Sequence, residues 1–481
     1  MARTVGGRSA LTIGLPALAL PALTMPALVL GLVAALTAAP ASAAPNRAPD
    51  ETAILMNFTI NSAKGVGAMD EVAAAVAEAG GEVISQYAKI GVTVAQSSRG
   101  QFAVDLRAQG DLIDSVGATR TSAIDALVEP KTGFEPDQRV QIVEEPREGE
   151  QWGNTKLESL EANEIEDGVS TVVVGVLDSG VNDLHEDLAA NFNRPASVDC
   201  VSGDGVPNTA DGAWRPTSST HGTHVAGTIA AARNGLGIAG IAPGVSYASI
   251  KVVDDDGFIF PEYAICGFMW AAAQGVEVTN NSYYIDPWYF WCANDPDQGA
   301  VQESLRRVLA HTQKRGVVNV AAAGNENYDL ADKTTDSISP NDSTPIPNRP
   351  VNRGCLDMPT EMKGVITVAA IQQAGTKASF SNYGKGKIDV AAPGQGILST
   401  VWPGTSGYGN LSGTSMASPH VAGVVALIES TTPGLSVKEM TRRLYQTSVD
   451  TDCGGAPTCE GTPENNGFYG RGVVNALNAV S

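Results

Sequence analysis

From about Trp152 the chain repeats one pattern: a short run that is apolar at almost every position, then a longer segment of helical spacing. The runs are TVVVGVL (171–177), SYASIKVV (246–253), VEVTNNS (276–282), VVNVAAA (317–323) and VITVAAI (365–371). Strands this uniformly apolar are buried on both faces, as in parallel sheets. Helical segments at 221–233, 262–274, 299–315 and 415–430 separate them. The pattern predicts an α/β domain: a doubly wound, mostly parallel sheet with helices on both faces. Such sheets place their ligands outside the carboxyl ends of the strands.

The preceding hundred residues follow another rhythm. TAILMNFTI reads as a strand and GAMDEVAAAVAEAG as a helix opening near Asp70. GEVISQY and KIGVTVAQ read as strands, Gln101–Ala108 as a second helix and AIDALVEP as a closing strand. This β-α-β-β-α-β order predicts a small α+β unit of ferredoxin-like type. The acidic, proline-containing stretch KTGFEPDQRVQIVEEPREGEQ then reads as a linker.

The first residues differ again. Arg3 and Arg8 precede an apolar run from about Ala10 to Ala39, which ends at Ala41-Ser42-Ala43. Pro16, Pro21 and Pro26 interrupt the run, so a cleaved secretory signal over 1–43 is expected rather than a membrane anchor. No later run approaches 18 apolar residues, so no stable anchor is expected in the remainder. The net charge of −21 argues against nucleic acid and anionic membranes as partners. Six cysteines in a secreted chain suggest disulfides. Cys453 and Cys459 flank a short turn-rich loop and are the expected local pair; Cys200, Cys266, Cys292 and Cys355 either pair or stay free.

Three motifs fall where the sheet should open. VGVLDSGV puts Asp178 at the end of the first strand. STHGTHVAGTIAA puts His221 at a helix start that Thr220 could cap, and LSGTSMASPHVAG puts Ser415 at another, with Pro419 in its first turn. Each residue alone reads as a turn former, a local hydrogen bonder or a cap. Together they form a chemistry: a serine hydroxyl needs a base within reach, histidine suits that task near neutral pH, and a buried carboxylate fixes the imidazole.

With these motifs the chain resembles the subtilisin-like serine peptidases, the subtilases, over roughly residues 150–481. The chain order Asp, His, Ser is the family's. The undecapeptide GTSMASPHVAG is highly specific, and Lys251–Asn280 resembles the family's strand, substrate edge, helix and strand in succession. The resemblance implies a secreted serine endopeptidase acting on polypeptides, with catalytic residues Asp178, His221 and Ser415. It implies Asn325, in VVNVAAAGNEN, as oxyanion donor beside the Ser415 N–H. It makes residues 44–140 a propeptide, an intramolecular chaperone and inhibitor cleaved off between about Glu129 and Gln151, and 141–481 the peptidase domain. A monomer is expected. A dedicated processing peptidase and an inactive binding protein on this fold are the alternatives.

The remaining histidines read as structural. His224 and His420 are expected to be packed, His185 stands in a stretch like the family's HPDL, and His311 is expected on a solvated helix face. No metal site or required cofactor is expected. Calcium as a structural ion at VDCVSGDGVPNTADG (198–212) is the alternative to a solvated loop.

The resemblance falters at NSYYIDPWYFWC. The family usually reads close to N-x-S-L-G along one side of the pocket for the residue before the scissile bond. Ser282 keeps the pattern, Tyr283 takes the Leu place and Tyr284 stands where glycine is expected. The opposite wall is expected from Gly257, Phe258 and Ile259, whose backbone would pair with an extended peptide. DPWYFWC looks like an insertion tethered by Cys292, with Cys355 as the expected partner. Packing on its own domain is expected for it, ahead of a substrate rim or a membrane or carbohydrate contact.

Overall fold

The computed structural model describes residues 54–124 and 147–481. The signal stretch and most of the linker, with its processing region, lie outside the described residues.

The N-terminal unit has strand β1 (Met56–Ser62), helix α1 (Met69–Glu78), β2 (Glu82–Tyr87), β3 (Val92–Ser97), α2 (Phe102–Arg107) and β4 (Ile113–Ala118). They form one antiparallel sheet in the order β2-β3-β1-β4. Phe58, Ile60, Val72, Val76, Phe102, Leu106, Ile113 and Val116 fill its core. The expected element order holds, but the closing strand is Ile113–Ala118. AIDALVEP, beyond Ile124, falls outside the described residues. Ile113 and Val116 supply the inward apolar positions there. An acidic residue and a glycine between and beside them masked the alternation.

The large unit runs through α3 (Trp152–Leu157), α4 (Ser159–Asn163), β5 (Val173–Asp178), β6 (Val198–Asp199), α5 (His221–Ala230), β7 (Ser246–Lys251), α6 (Pro261–Gln274), β8 (Val278–Asn281), β9 (Trp291–Cys292), α7 (Pro296–Lys314) and β10 (Val318–Ala322). It continues with β11 (Thr335–Asp336), β12 (Arg349–Pro350), β13 (Cys355–Leu356), β14 (Val365–Ile371), β15 (Val390–Pro393), β16 (Ile397–Val401), β17 (Gly407–Leu411), α8 (Thr414–Thr431) and α9 (Val437–Thr447). Seven strands pair in parallel in the order β15-β14-β10-β8-β5-β7-β6. The order reverses between β5 and β8, a switch point of the kind where such sheets bind ligands. Helices α5 and α8 cover one face with Val225, Ile229, Val421 and Val424. Helices α6 and α7 cover the other with Ile265, Phe268, Leu305 and Val308. Every strand of the expected set is therefore buried on both sides, as its composition required.

Three disulfides join Cys200 to Cys266, Cys292 to Cys355 and Cys453 to Cys459. The aromatic insertion packs on its own domain. Tyr289, Phe290 and Trp291 are fully buried, and the Trp291 indole N–H donates to the Ile285 carbonyl at 2.8 Å. β9 pairs with β13 beside the Cys292–Cys355 bond.

The N-terminal sheet lies on α6 and α7. Asn61 Nδ2 donates to the Ala300 carbonyl at 2.9 Å and Ser304 Oγ to Asn61 Oδ1 at 3.0 Å. The Arg307 guanidinium reaches the carbonyls of Ser62 and Gly91 and the Asp114 carboxylate. Arg120 pairs with the fully buried Glu262 and lies 4.0 Å from the centre of the Phe260 ring. Near the end of the unit's described residues, Thr121 and Ser122 donate their backbone N–H groups to Asp342 at 2.8 and 3.0 Å.

Candidate active site

Asp178 ends β5, at the sheet's switch point, and is 1% exposed. Its Oδ1 accepts from the Ser179 N–H at 2.7 Å, so its own turn orients the carboxylate. His221 Nδ1 lies 2.8 and 3.0 Å from the two carboxylate oxygens. The approach requires Gly222: a Cβ there would stand 2.4 Å from the Gly180 carbonyl and 3.1 Å from the Asp178 Cβ. Burial pushes the His221 pKa down, but the Asp178 charge and hydrogen bond outweigh it and the net direction is up. Thr220 does not cap α5. Ser219 Oγ accepts the His221 N–H at 3.1 Å, and the Thr220 hydroxyl accepts from the Trp402 N–H.

Ser415 is the second residue of α8, at the positive end of an 18-residue helix. Pro419 lies in the second turn of that helix, not the first. Having no N–H, it leaves the Ser415 carbonyl without its helical donor. The Ser282 hydroxyl fills the gap at 2.8 Å, while Ser415 Oγ donates to the Ser282 carbonyl at 3.2 Å. This reciprocal pair fixes the serine against the end of β8. The sequence placed Ser282 only as pocket wall.

Asn325 follows β10. Its Oδ1 accepts from the Thr414 N–H at 2.8 Å and from the Thr414 hydroxyl at 3.0 Å. A backbone N–H can only donate, so the amide orientation is fixed and Nδ2 is left as a donor. The sequence did not reveal Thr414 as the anchor, although it stands within GTSMASPHVAG.

The Subtilase family model matches residues 169–472. Subtilisin Savinase of Lederbergia lenta is 32% identical over 325 residues, 68% of this chain and 96% of that one. M-protease of Shouchella clausii (strain KSM-K16) is 32% identical over 68% of each. The chain belongs to the subtilase family. It is a serine endopeptidase of that family, with polypeptides as substrates. Among solved structures, the epidermin leader peptide processing serine protease of Staphylococcus aureus superposes with a TM-score of 0.65 at 20% identity, covering 89% of this chain and 98% of that one. A lanthipeptide protease superposes with a TM-score of 0.54 at 24% identity, covering 68% and 93%. Both share the fold.

Three of the other histidines of this subtilase are held inside it. His224 Nε2 bonds the Ile397 carbonyl at 2.8 Å and His420 Nδ1 the Met416 carbonyl at 2.8 Å. Burial lowers their pKa values to about 3 and about 4. His185 is also buried, bonded to the Gly407 carbonyl, and burial lowers its pKa. His311 is half-buried on α7.

The pocket walls depart most from expectation. Tyr283 turns back to donate to Asn281 Oδ1 at 3.0 Å. Tyr284 avoids the left-handed backbone that glycine allows; its ring stands 4.7 Å from that of Tyr289 and its hydroxyl accepts from Asn341 at 2.7 Å. On the opposite side the edge is already engaged within the chain. Asp254 bonds both the N–H and the carbonyl of Phe258, at 2.8 and 3.0 Å. Asp286 bonds those of Ile259, at 2.6 and 2.8 Å. An extended peptide pairing with Phe258 and Ile259 has to displace these bonds or use their second lone pairs. Gly257, with φ of 87°, closes the turn that Asp254 opens. Sequence reasoning missed Asp254, which closes a local turn on Phe258, and Asp286, whose partner Ile259 is 27 residues away.

At the loop 198–212, Asp199 caps its own turn and Asp204 accepts from Gln96 at 3.1 Å. Among the described residues no cluster of three or more His, Cys, Asp or Glu could hold a metal ion.

Proposed function

We propose that Asp178, His221 and Ser415 are the catalytic triad of a secreted endopeptidase made as a self-processing zymogen. The carrying observation is the Asp178–His221 contact at 2.8 Å, at the mouth that also holds Ser415 and Asn325. Ser415 Oγ attacks the scissile carbonyl as His221 takes its proton. Asn325 Nδ2 and the Ser415 N–H hold the oxyanion, in a site already oriented for charge. His221 then gives the proton to the leaving amine, and water hydrolyses the acyl-enzyme. No step needs a cofactor.

The N-terminal unit is the propeptide in this reading. Its buried Arg120–Glu262 pair and its seat on α6 and α7 support an inhibitor that folds with the enzyme. Secretion rests on the signal-like N-terminus and agrees with the disulfides; among the described residues no helix is long and apolar enough to cross a membrane. The test is processing: Ser415→Ala protein, purified free of other proteases, stays unprocessed, while the wild type sheds the unit. Normal processing of Ser415→Ala refutes the mechanism.

Two observations favour narrow specificity over broad digestion. The edge at Phe258 and Ile259 is bonded within the chain, and Tyr284 is pinned at the facing wall. Relatives in fold include an epidermin leader peptide processing protease, and dedicated processing fits this closed edge. A peptide-library profile with one dominant sequence supports it; cleavage at many unrelated sequences does not.

A further inference from the structure

Beside Ser415 and Asn325 the chain builds a wall of carboxylates. The Thr360 hydroxyl donates to the Ala322 carbonyl at 2.7 Å, tying the Asp357–Thr360 turn to the end of β10. The Ile285 N–H donates to the Met358 carbonyl at 2.8 Å, tying the same turn to the segment that follows Ser282. Glu326 directly follows Asn325, whose N–H it accepts at 2.8 Å. Asp357 immediately precedes Met358, so it stands within this frame, between the end of β10 and the segment that follows Ser282.

The charges here do not balance. Glu361 is matched by Lys333 and Lys387, and Asp336 by Arg349. Among the described residues neither Glu326 nor Asp357 has a salt bridge. Asp357 is 1% exposed, and its Oδ1 has no hydrogen-bond partner among the described residues. A buried carboxylate oxygen without a donor is costly. Burial, together with the charges of Glu361 and Glu326, pushes the Asp357 pKa well above its ordinary value. A cation or hydrogen-bond donor brought to this frame, beside Asn325 and the end of β8, would satisfy that oxygen and favour its ionised form.

We propose that Asp357, assisted by Glu326, makes this subtilase select a basic residue, arginine or lysine, immediately before the bond it cuts. The proposal rests on Ser415 as nucleophile and on Ser282–Tyr284 as pocket wall. A guanidinium or ammonium supplies the missing charge and donors, and arginine can do so through two parallel bonds. The net charge of −21 draws basic peptides from a distance. Between Asp125 and Glu150 the basic residues are Lys131, Arg139 and Arg147. Self-processing is therefore expected after one of these three.

The test uses mature enzyme and matched peptides that differ only in the residue before the bond: Arg, Lys, Leu, Phe or Gln. Wild type is expected to favour Arg or Lys over Leu by about 100-fold in kcat/KM. Asp357→Asn is expected to reduce that ratio by about 10- to 150-fold, the range for a hydrogen bond to a charged group. A preference for Leu or Phe, or an Asp357→Asn enzyme with the wild-type ratio, overturns the proposal. If Asp357→Asn does not mature, benzamidine decides on wild type: protection of Ser415 from a fluorophosphonate supports the assignment and lack of protection overturns it. Failure of the wild type to react with the fluorophosphonate would remove the peptidase mechanism itself; a reactive enzyme without basic preference removes only the role of Asp357.

Discussion

Substitution can separate the anchoring bonds of Asn325 from its proposed role as oxyanion donor. Its Oδ1 anchors Thr414 through the backbone N–H at 2.8 Å and the hydroxyl at 3.0 Å, while Nδ2 is the proposed oxyanion donor. Asn325→Asp keeps an acceptor for Thr414 and removes the donor. Asn325→Leu removes both. If the donor matters, both variants lose about 10²–10³ in kcat, about 2.7–4 kcal/mol, a magnitude established on subtilisin itself. KM should stay within about threefold, because the oxyanion forms only after binding. Stability should separate the two. Asn325→Leu leaves the Thr414 groups without their acceptor, costing about 1–3 kcal/mol, whereas Asn325→Asp retains it. The assays are initial rates with a single-site peptide and thermal unfolding of the purified variants. An Asn325→Asp enzyme retaining more than about a tenth of the wild-type kcat would refute the reasoning, since anchoring alone would then suffice.

Other outcomes follow from the same geometry. The acid limb of kcat/KM reports loss of neutral His221 and should lie above pH 6.5, because Asp178 raises that pKa against the effect of burial. Asp178→Asn removes the charge and leaves burial, so the limb should move below pH 6.5, with kcat reduced about 10⁴-fold as in the chymotrypsin-type triad; a stationary limb would contradict this. His420, with a folded pKa of about 4 against 6.5 unfolded, takes up its proton more readily when unfolded. Its contribution to stability is therefore lost as pH falls below 6.5. Urea titrations at pH 8 and 5 should show His420→Gln losing about 2 kcal/mol less than wild type over that interval. Removing Cys292–Cys355, which closes 63 residues, should cost about 4 kcal/mol, and removing Cys453–Cys459, which closes 6, about 2 kcal/mol, both read from denaturant midpoints.

Much of the fold was legible because a parallel strand announces itself. TVVVGVL and VITVAAI are apolar at all but one position each since both faces are covered, and little else in a chain of this composition is. The β4 strand was missed for the opposite reason: with one face buried and Gly117 in it, its pattern is weak. Asp178, His221, Ser415 and Asn325 were legible because their motifs are local and each stands at an element end. What the sequence hid depends on contacts across the chain. Asp286 reads only as the first residue of the DPWYFWC insertion until its carboxylate is found on the Ile259 N–H. Pro419 reads as a helix-start proline until Ser282 is found on the carbonyl it leaves free. Asp357 is one acidic residue among many until its burial and missing partner are known.

The central claim is that Ser415 is the nucleophile. The direct measurement is mass spectrometry of the processed protein after reaction with a fluorophosphonate. The account predicts one adduct, on the peptide carrying Ser415, and none in Ser415→Ala protein freed of its N-terminal unit by another protease. An adduct on a different residue, or one that persists in Ser415→Ala, would contradict it.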